Sequence, residues 1–304
     1  MILTASNSAS DAFHHELAQF NVSRLAAGMP SKHWEDGLQS EFEFRLDEGR
    51  YVEALRLEVA PLTLGHAGDG NHFVHWFEAL ADTGPGQQHP LLDALAQQAT
   101  LAQMRWFLSQ ETAGEASFED LLAYTQVKLP AQAKLACARH FWSDMGHGKQ
   151  SAMHAQMLGA MVQELDLKPS LDATVWQALA LKNTMVALAT TRRYTYHAIG
   201  ALGMTELTAP RRAAKISQGM RHLGLNGRMR AYFDLQAAQD VAHMRCWMRE
   251  IIRPLIDANP QCVQYIAEGA LMRLLCEKRC FDRYAEELGV DIADMQRSWA
   301  AGSW

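Results

Sequence analysis

An all-α fold is what this sequence predicts, on three observations. Apolar residues recur at three- and four-residue spacing along almost the whole chain. Ala, Leu, Met and Gln, which lose little side-chain freedom in a helix, fill much of the remainder. β-signals are scarce.

Taken in order, the spacing predicts two early helices over residues 10–28 and 33–60. A Gly- and His-containing connection follows, through His66, Gly68–Gly70, His72 and His75, and ends at Pro85–Gly86. Eight helical segments are then predicted at 91–113, 116–127, 132–146, 149–166, 171–203, 210–223, 227–253 and 260–289. Several breaks separate them: Gly146-His-Gly148, Lys168-Pro-Ser170, Ala209-Pro210, Asn226-Gly227 and Asn259-Pro260. Pro254 should kink or end the 227–253 helix. No composition shift marks a boundary after residue 90, so 90–304 reads as one helical domain. Residues 1–85 are expected to pack on that bundle or on a partner chain, which leaves a homodimer open.

Composition bounds the function. With 304 residues, 48% of them hydrophobic, a substantial core is available. A formal charge of −6 and the lack of a long basic run argue against nucleic acid as a partner. No apolar run is long enough to cross a bilayer, and the first residues lack the basic start and apolar core of a secretory signal. The expectation is a cytoplasmic protein with no membrane partner. Its five cysteines, Cys137, Cys246, Cys262, Cys276 and Cys280, lack metal-type C-x-x-C pairing and read as reduced core residues.

The stretch 232–243 concentrates the chemistry. Offsets of four and seven residues put Gln236, Asp240 and His243 within about 60° of one another on one helix stripe. A carboxylate and an imidazole aimed together suit a transition metal, although such a pair on an amphipathic helix by default faces water. Three other places add candidates. In Phe-Trp-Ser-Asp-Met-Gly-His-Gly (141–148), Asp144 sits at a helix end, and His154 opens the next helix. In the 194–210 segment, which opens with Tyr194 and Tyr196, Glu206 lies among apolar residues just before a proline, a costly place for an unpartnered carboxylate. In Phe-Leu-Ser-Gln-Glu-Thr-Ala-Gly-Glu (107–115), Glu111 and Glu115 are one turn apart.

The order and spacing of Asp144, His154, Glu206, position 236, Asp240 and His243 resemble those of the haem-oxygenase-like diiron oxidases, whose pattern is Glu, His, Glu and then His-x-x-x-Asp-x-x-His. The surrounding text is similar to their bacterial branch of iron-containing redox enzymes, over roughly residues 90–290. The resemblance implies a haem-oxygenase-like (TenA-like) multi-helical bundle with iron between its central helices. It further implies O₂ as co-substrate, used to oxidise a small organic substrate in an apolar cavity between helices. The metal ligands would be Asp144, His154, Glu206, Gln236, Asp240 and His243. Glu206, Asp240 and His243 would be closest to the chemistry, with Glu206 as the natural bridge. Glu111, Glu115, Tyr194 and Tyr196 would stand behind the ligands.

Two positions depart from that pattern. Asp144 replaces Glu, which shortens the reach by one methylene but keeps the charge. Gln236 replaces His, and its amide oxygen is a weak ligand. One iron, two unequally held irons, or a small-ligand-binding protein with a degraded metal site are all compatible with this change. Among the remaining residues, His14 and His15 are similar to the axial histidine of a haem oxygenase, but no glycine-rich distal helix accompanies them, so non-haem iron is expected rather than haem. A thiaminase-like nucleophile would need a carboxylate beside a reactive thiol, and Cys137 sits in an Ala-rich apolar segment. Arg192 and Arg193 read either as a grip on an acidic substrate or as a surface ion-pair patch.

Overall fold

The computed structural model describes residues 7–63, 70–114, 117–238 and 246–292. It is all-α, with no strand among the described residues. Two early helices, α1 (Asn7–Leu25) and α2 (Trp34–Val59), are followed by α3 (Gly70–Thr83), α4 (Pro90–Gln97), α5 (Leu101–Thr112), α6 (Phe118–Thr125), α7 (Ala131–Asp144) and α8 (His154–Glu164). The chain continues through α9 (Trp176–Thr190), α10 (Thr195–His222), α11 (Gly227–Ala237), a π-helical turn at Met248–Ile252, α12 (Arg253–Ala258) and α13 (Cys262–Leu288).

The frame is the crossing of α10 on α13, against which α9, α4 and α11 also pack. Glycines set how close that crossing is. A Cβ on Gly269 would stand 1.9 Å from the carbonyl oxygen of His197, and one on Gly200 would stand 1.9 Å from that of Ile266. Only two bare Cα atoms let the backbones approach this far. The apolar residues then divide into two clusters. One gathers Val52, Leu55, Phe73, Phe77, Leu202 and Trp247, and the other Leu91, Met104, Phe107, Ile216, Phe281 and Tyr284. α1 lies along α9 and α2 along α13.

Several predicted boundaries move. The connection predicted through His72 and His75 is helical in α3, whose Phe73, Phe77 and Leu80 form a buried stripe at three- to four-residue spacing. The segment predicted as one helix over 91–113 is two helices, because Thr100 and Gln103 form a reciprocal capping box that starts α5. The predicted stop at Pro210 is absent, and α10 runs through it. An interior proline costs about 3 kcal/mol. Burying Ile199, Leu202, Met204, Ile216 and Met220 of the same helix contributes on the order of 10 kcal/mol, so packing wins. The break falls instead at Thr191, where the chain is extended before a short 3-10 turn, Arg192–Tyr194. Arg192 there donates to the carbonyls of Tyr124, Thr125 and Val127, closing the end of α6. Pro254 opens α12 directly after the π-helical turn, so the chain stays helical where a kink or stop is predicted.

Candidate metal centre

The buried face of α7 explains how its chemistry points inward. Ala133, Ala136 and Cys137 make an apolar stripe, and the same three- and four-residue spacing carries it on to His140 and Asp144. The chain then reverses through Gly146, His147 and Gly148, all at left-handed φ (61°, 52° and 82°), which the two flanking glycines adopt without strain. This turn delivers buried His154 at the start of α8. Glu206 comes from the middle of α10 and Gln236 from the end of α11, and both are buried.

These side chains meet in two groups. Nδ1 of His154 lies 3.2 Å from Oδ1 of Asp144 and 3.3 Å from the amide nitrogen of Gln236. Nδ1 of His140 lies 3.6 Å from Oε1 of Glu206, and the His140 ring meets Trp247 edge to face. Asp144, His154, Glu206 and Gln236 all line a cavity of about 510 Å³ between helices α5 to α11 and α13, whose walls include Phe118, Leu121, Leu158, Leu181 and Met185. Asp240, His243 and Glu115 lie outside the described residues.

The acidic end is electrostatically loaded. Burial, then Glu206, then Glu119 push the Asp144 carboxyl up to about 8, even with the His154 imidazole beside it. Glu119 is itself buried, lines the cavity and has its carboxyl raised by burial and then by Asp120. Oδ2 of Asp144 is buried with no hydrogen-bond partner among the described residues. Three buried carboxylates at one end of an apolar cavity are an arrangement that a cation relieves.

The donors fit iron in kind. Imidazole and carboxylate suit Fe(II). The nitrogen and oxygen ends of the Gln236 amide exchange by a simple flip. Among the described residues no three His, Cys, Asp or Glu side chains converge on one point. Those residues therefore supply donor pairs rather than a complete coordination sphere.

Other sequence candidates fall into place. Glu111 also lines the cavity, where it pairs with Arg212 and accepts from the Tyr284 hydroxyl. Arg273 lines the cavity too, tied in two-pronged fashion to buried Glu277 and donating from Nε to Thr205, next to Glu206. Lys182 donates to the last carbonyls of α5, at Gln110, Glu111 and Ala113. Tyr194 and Tyr196 do not line the cavity. The Tyr194 hydroxyl donates to Glu53, which also takes Arg193, so the two arginines serve helix ends and surface pairing instead of a substrate. His14 is packed between α1 and α9, stacked on Trp176 and reached by Asn183. Burial lifts the Cys137 thiol to about 12, which makes it a poor nucleophile.

Two buried groups at the site escape the sequence reading. His140 is four residues before Asp144, on the same inward stripe, and that spacing was the available signal. Glu119 continues the four-residue series of Glu111 and Glu115, but it belongs to a separate helix, α6, whose phase is independent of α5.

The model of one protein family, described as iron-containing redox enzyme, matches residues 105–278, more than half of the chain. The chain belongs to the iron-containing redox enzymes. The match spans α7 to α11 and so covers Asp144, His154, Glu206, Gln236, Asp240 and His243. For an iron-containing redox enzyme of the haem-oxygenase-like superfamily the all-α bundle is the proper fold, and a redox function goes with it. No curated protein matches the chain. No described helix of this iron-containing redox enzyme is long and apolar enough to cross a membrane.

Proposed function

We propose that this protein is a non-haem iron oxidase that uses O₂ to oxidise a small organic substrate held in the 510 Å³ cavity. The observation that carries the reading is that Asp144, His154, Glu206 and Gln236, which come from four different helices, all line one largely apolar cavity, with His154 in contact with both Asp144 and Gln236. Asp144, His154 and Glu206, with Asp240 and His243, would hold one or two irons, and Gln236 would be a weak ligand or a spacer. His140, beside Glu206, is a further imidazole available to the same end. When bound, iron supplies the electrons and the coordination position with which O₂ reacts.

The chain's own residues do the rest. Phe118, Leu121, Leu158 and Met185 surround the substrate with apolar surface and keep water from the reacting end. The Asp144 carboxyl, raised to about 8, holds a proton at neutral pH until a cation replaces it. Tyr232 lines the cavity and stands edge to face against His154, fixing the ring. Glu111 and Glu277 hold Arg212, another lining residue, in place.

Anaerobic loading with Fe(II), removal of unbound metal and measurement of iron per chain, followed by O₂ uptake on mixing, tests the reading. Near two irons supports a dinuclear oxidase, and near one supports a mononuclear site. No retained iron sinks the oxidase. A small-ligand-binding protein is the second reading, and it is favoured by Gln236, whose amide is a weak ligand where an imidazole would be a strong one. Gln236→His separates the two: iron per chain rises if a diiron centre has been weakened, and stays at zero if the cavity binds only an organic ligand.

A further inference from the structure

We propose that Glu119 is a metal ligand of this chain, and that with Asp144 and the amide oxygen of Gln236 it makes one position of the centre oxygen-rich, open to Mn(II) as well as Fe(II). Glu119 lies outside the sequence pattern of the other candidate ligands, and it is assigned on the iron-centre reading above.

Two neighbouring acids open α6, and the helix sends them opposite ways. Asp120 is exposed and accepts from the Ser117 hydroxyl at 2.9 Å. Glu119 is only 6% exposed, three residues from Leu122 on the buried face. It lines the same cavity as Asp144, Glu206 and Gln236. Its charge reaches Asp144, whose carboxyl it helps to raise.

Among the described residues no Lys, Arg or His pairs with Glu119. The cations of the cavity walls are engaged elsewhere. Arg212 is held by Glu111 and Glu277, Arg273 by Glu277, and Lys182 donates to the carbonyls that end α5. A carboxylate buried without a cation is costly, and an apolar residue would serve the packing of α6 better. Asp144 supplies a second, independent sign of a missing charge. It too is 6% exposed, and while Oδ1 faces His154, Oδ2 is buried with no hydrogen-bond partner among the described residues.

Glu119 answers the departure at position 236. An amide in place of an imidazole takes a nitrogen donor from the centre, and the α6 carboxylate returns an oxygen donor with a negative charge. Once the Gln236 amide is flipped, Glu119, Asp144 and Gln236 offer three kinds of oxygen donor, two of them anionic. Carboxylate and carbonyl oxygens suit Mn(II), whereas imidazole shifts preference towards the later metals. His154, in contact with both Asp144 and Gln236, remains the nitrogen donor beside them.

Equilibrium dialysis of the full metal-free chain against Mn(II) or Co(II) alone tests this, read by paramagnetic resonance of Mn(II) and by the visible bands of bound Co(II). The wild type should retain both metals. Glu119→Gln should weaken Mn(II) about tenfold or more and alter the Co(II) bands, with far-ultraviolet circular dichroism unchanged. Adding Gln236→His should restore Co(II) binding but not Mn(II) binding. A Glu119→Gln chain with wild-type affinity and bands, or a double variant as weak for Co(II) as the single one, overturns the assignment and leaves the iron-centre reading standing. A wild type that retains no divalent metal overturns both.

Discussion

Oδ1 of Asp144 and Nδ1 of His154 stand 3.2 Å apart across the Gly146–Gly148 turn. Ten residues separate them in the sequence, yet they end one helix and begin the next at the same spot. The contact joins a carboxyl that burial and two other carboxylates drive towards neutrality to an imidazole suited to iron. Stability and metal uptake therefore pull in opposite directions at Asp144.

Asp144→Asn makes that opposition measurable. The unfolded carboxyl ionises near 3.8 and the folded one near 8, so the folded state holds the extra proton between those values, and stability falls as pH rises from about 4 to about 8. Removing the charge should stabilise the iron-free protein at pH 8 by on the order of 2–4 kcal/mol. Chemical denaturation of wild type and variant at pH 5 and pH 8 should show the gain mainly at pH 8, and iron retention should fall in the same variant.

His140 should matter to iron although it lies outside the sequence pattern. With Nδ1 3.6 Å from Glu206, His140→Ala should lower iron per chain after gel filtration and raise the Fe(II) dissociation constant about tenfold or more. Cys137→Ser, one helical turn earlier on α7, should leave both unchanged. Equal losses in the two variants would mean that His140 acts only through packing.

Acid should weaken the α1–α9 seam. Burial, then His15, then Arg279 hold His14 down to about 3, so the folded state keeps it neutral while the unfolded chain takes up a proton below about 6.5. Stability is then lost as pH falls from about 6.5 towards 3, by on the order of 2 kcal/mol at pH 4.5. His14→Phe keeps a flat ring on Trp176 and removes the titration. Its midpoint of urea unfolding should fall less between pH 7 and pH 4.5 than that of wild type.

Gly269→Ala should be severe. The added Cβ would lie 1.9 Å from the backbone oxygen of His197, which no rotamer change relieves. A loss of roughly 3 kcal/mol or more is expected by thermal or urea unfolding. The same change at Gly159, where a Cβ meets nothing within 4 Å, should be neutral or slightly stabilising.

Period and capping chemistry made most helices legible, because each buries a stripe that repeats with its own turn. The errors have physical causes. Pro210 was read as a stop because local propensity argues for one, and tertiary burial along α10 overrides it. The capping box at Thr100 lay inside a continuous apolar pattern that masked it. At the site, Asp144, His154, Glu206 and Gln236 were legible through spacing across four helices, a signal that needs a family pattern to be noticed. Glu119 is not, since its place depends on how α6 docks, whereas His140 could be found only from its four-residue spacing to Asp144 on α7.

Pro210 has a further effect, felt one turn earlier. Lacking an amide hydrogen, it cannot bond the main-chain carbonyl of Glu206, its partner four residues back. The backbone that carries Glu206 thereby lacks one rung of the helical ladder, between the Gly200–Gly269 crossing above and the cluster around Ile216 and Met220 below. A carboxylate set on such a soft joint can tilt or withdraw by small backbone rotations while both ends of the helix stay still. Pro210→Ala would splice the joint and leave the side chain only its own rotamers with which to answer a change of charge in the cavity.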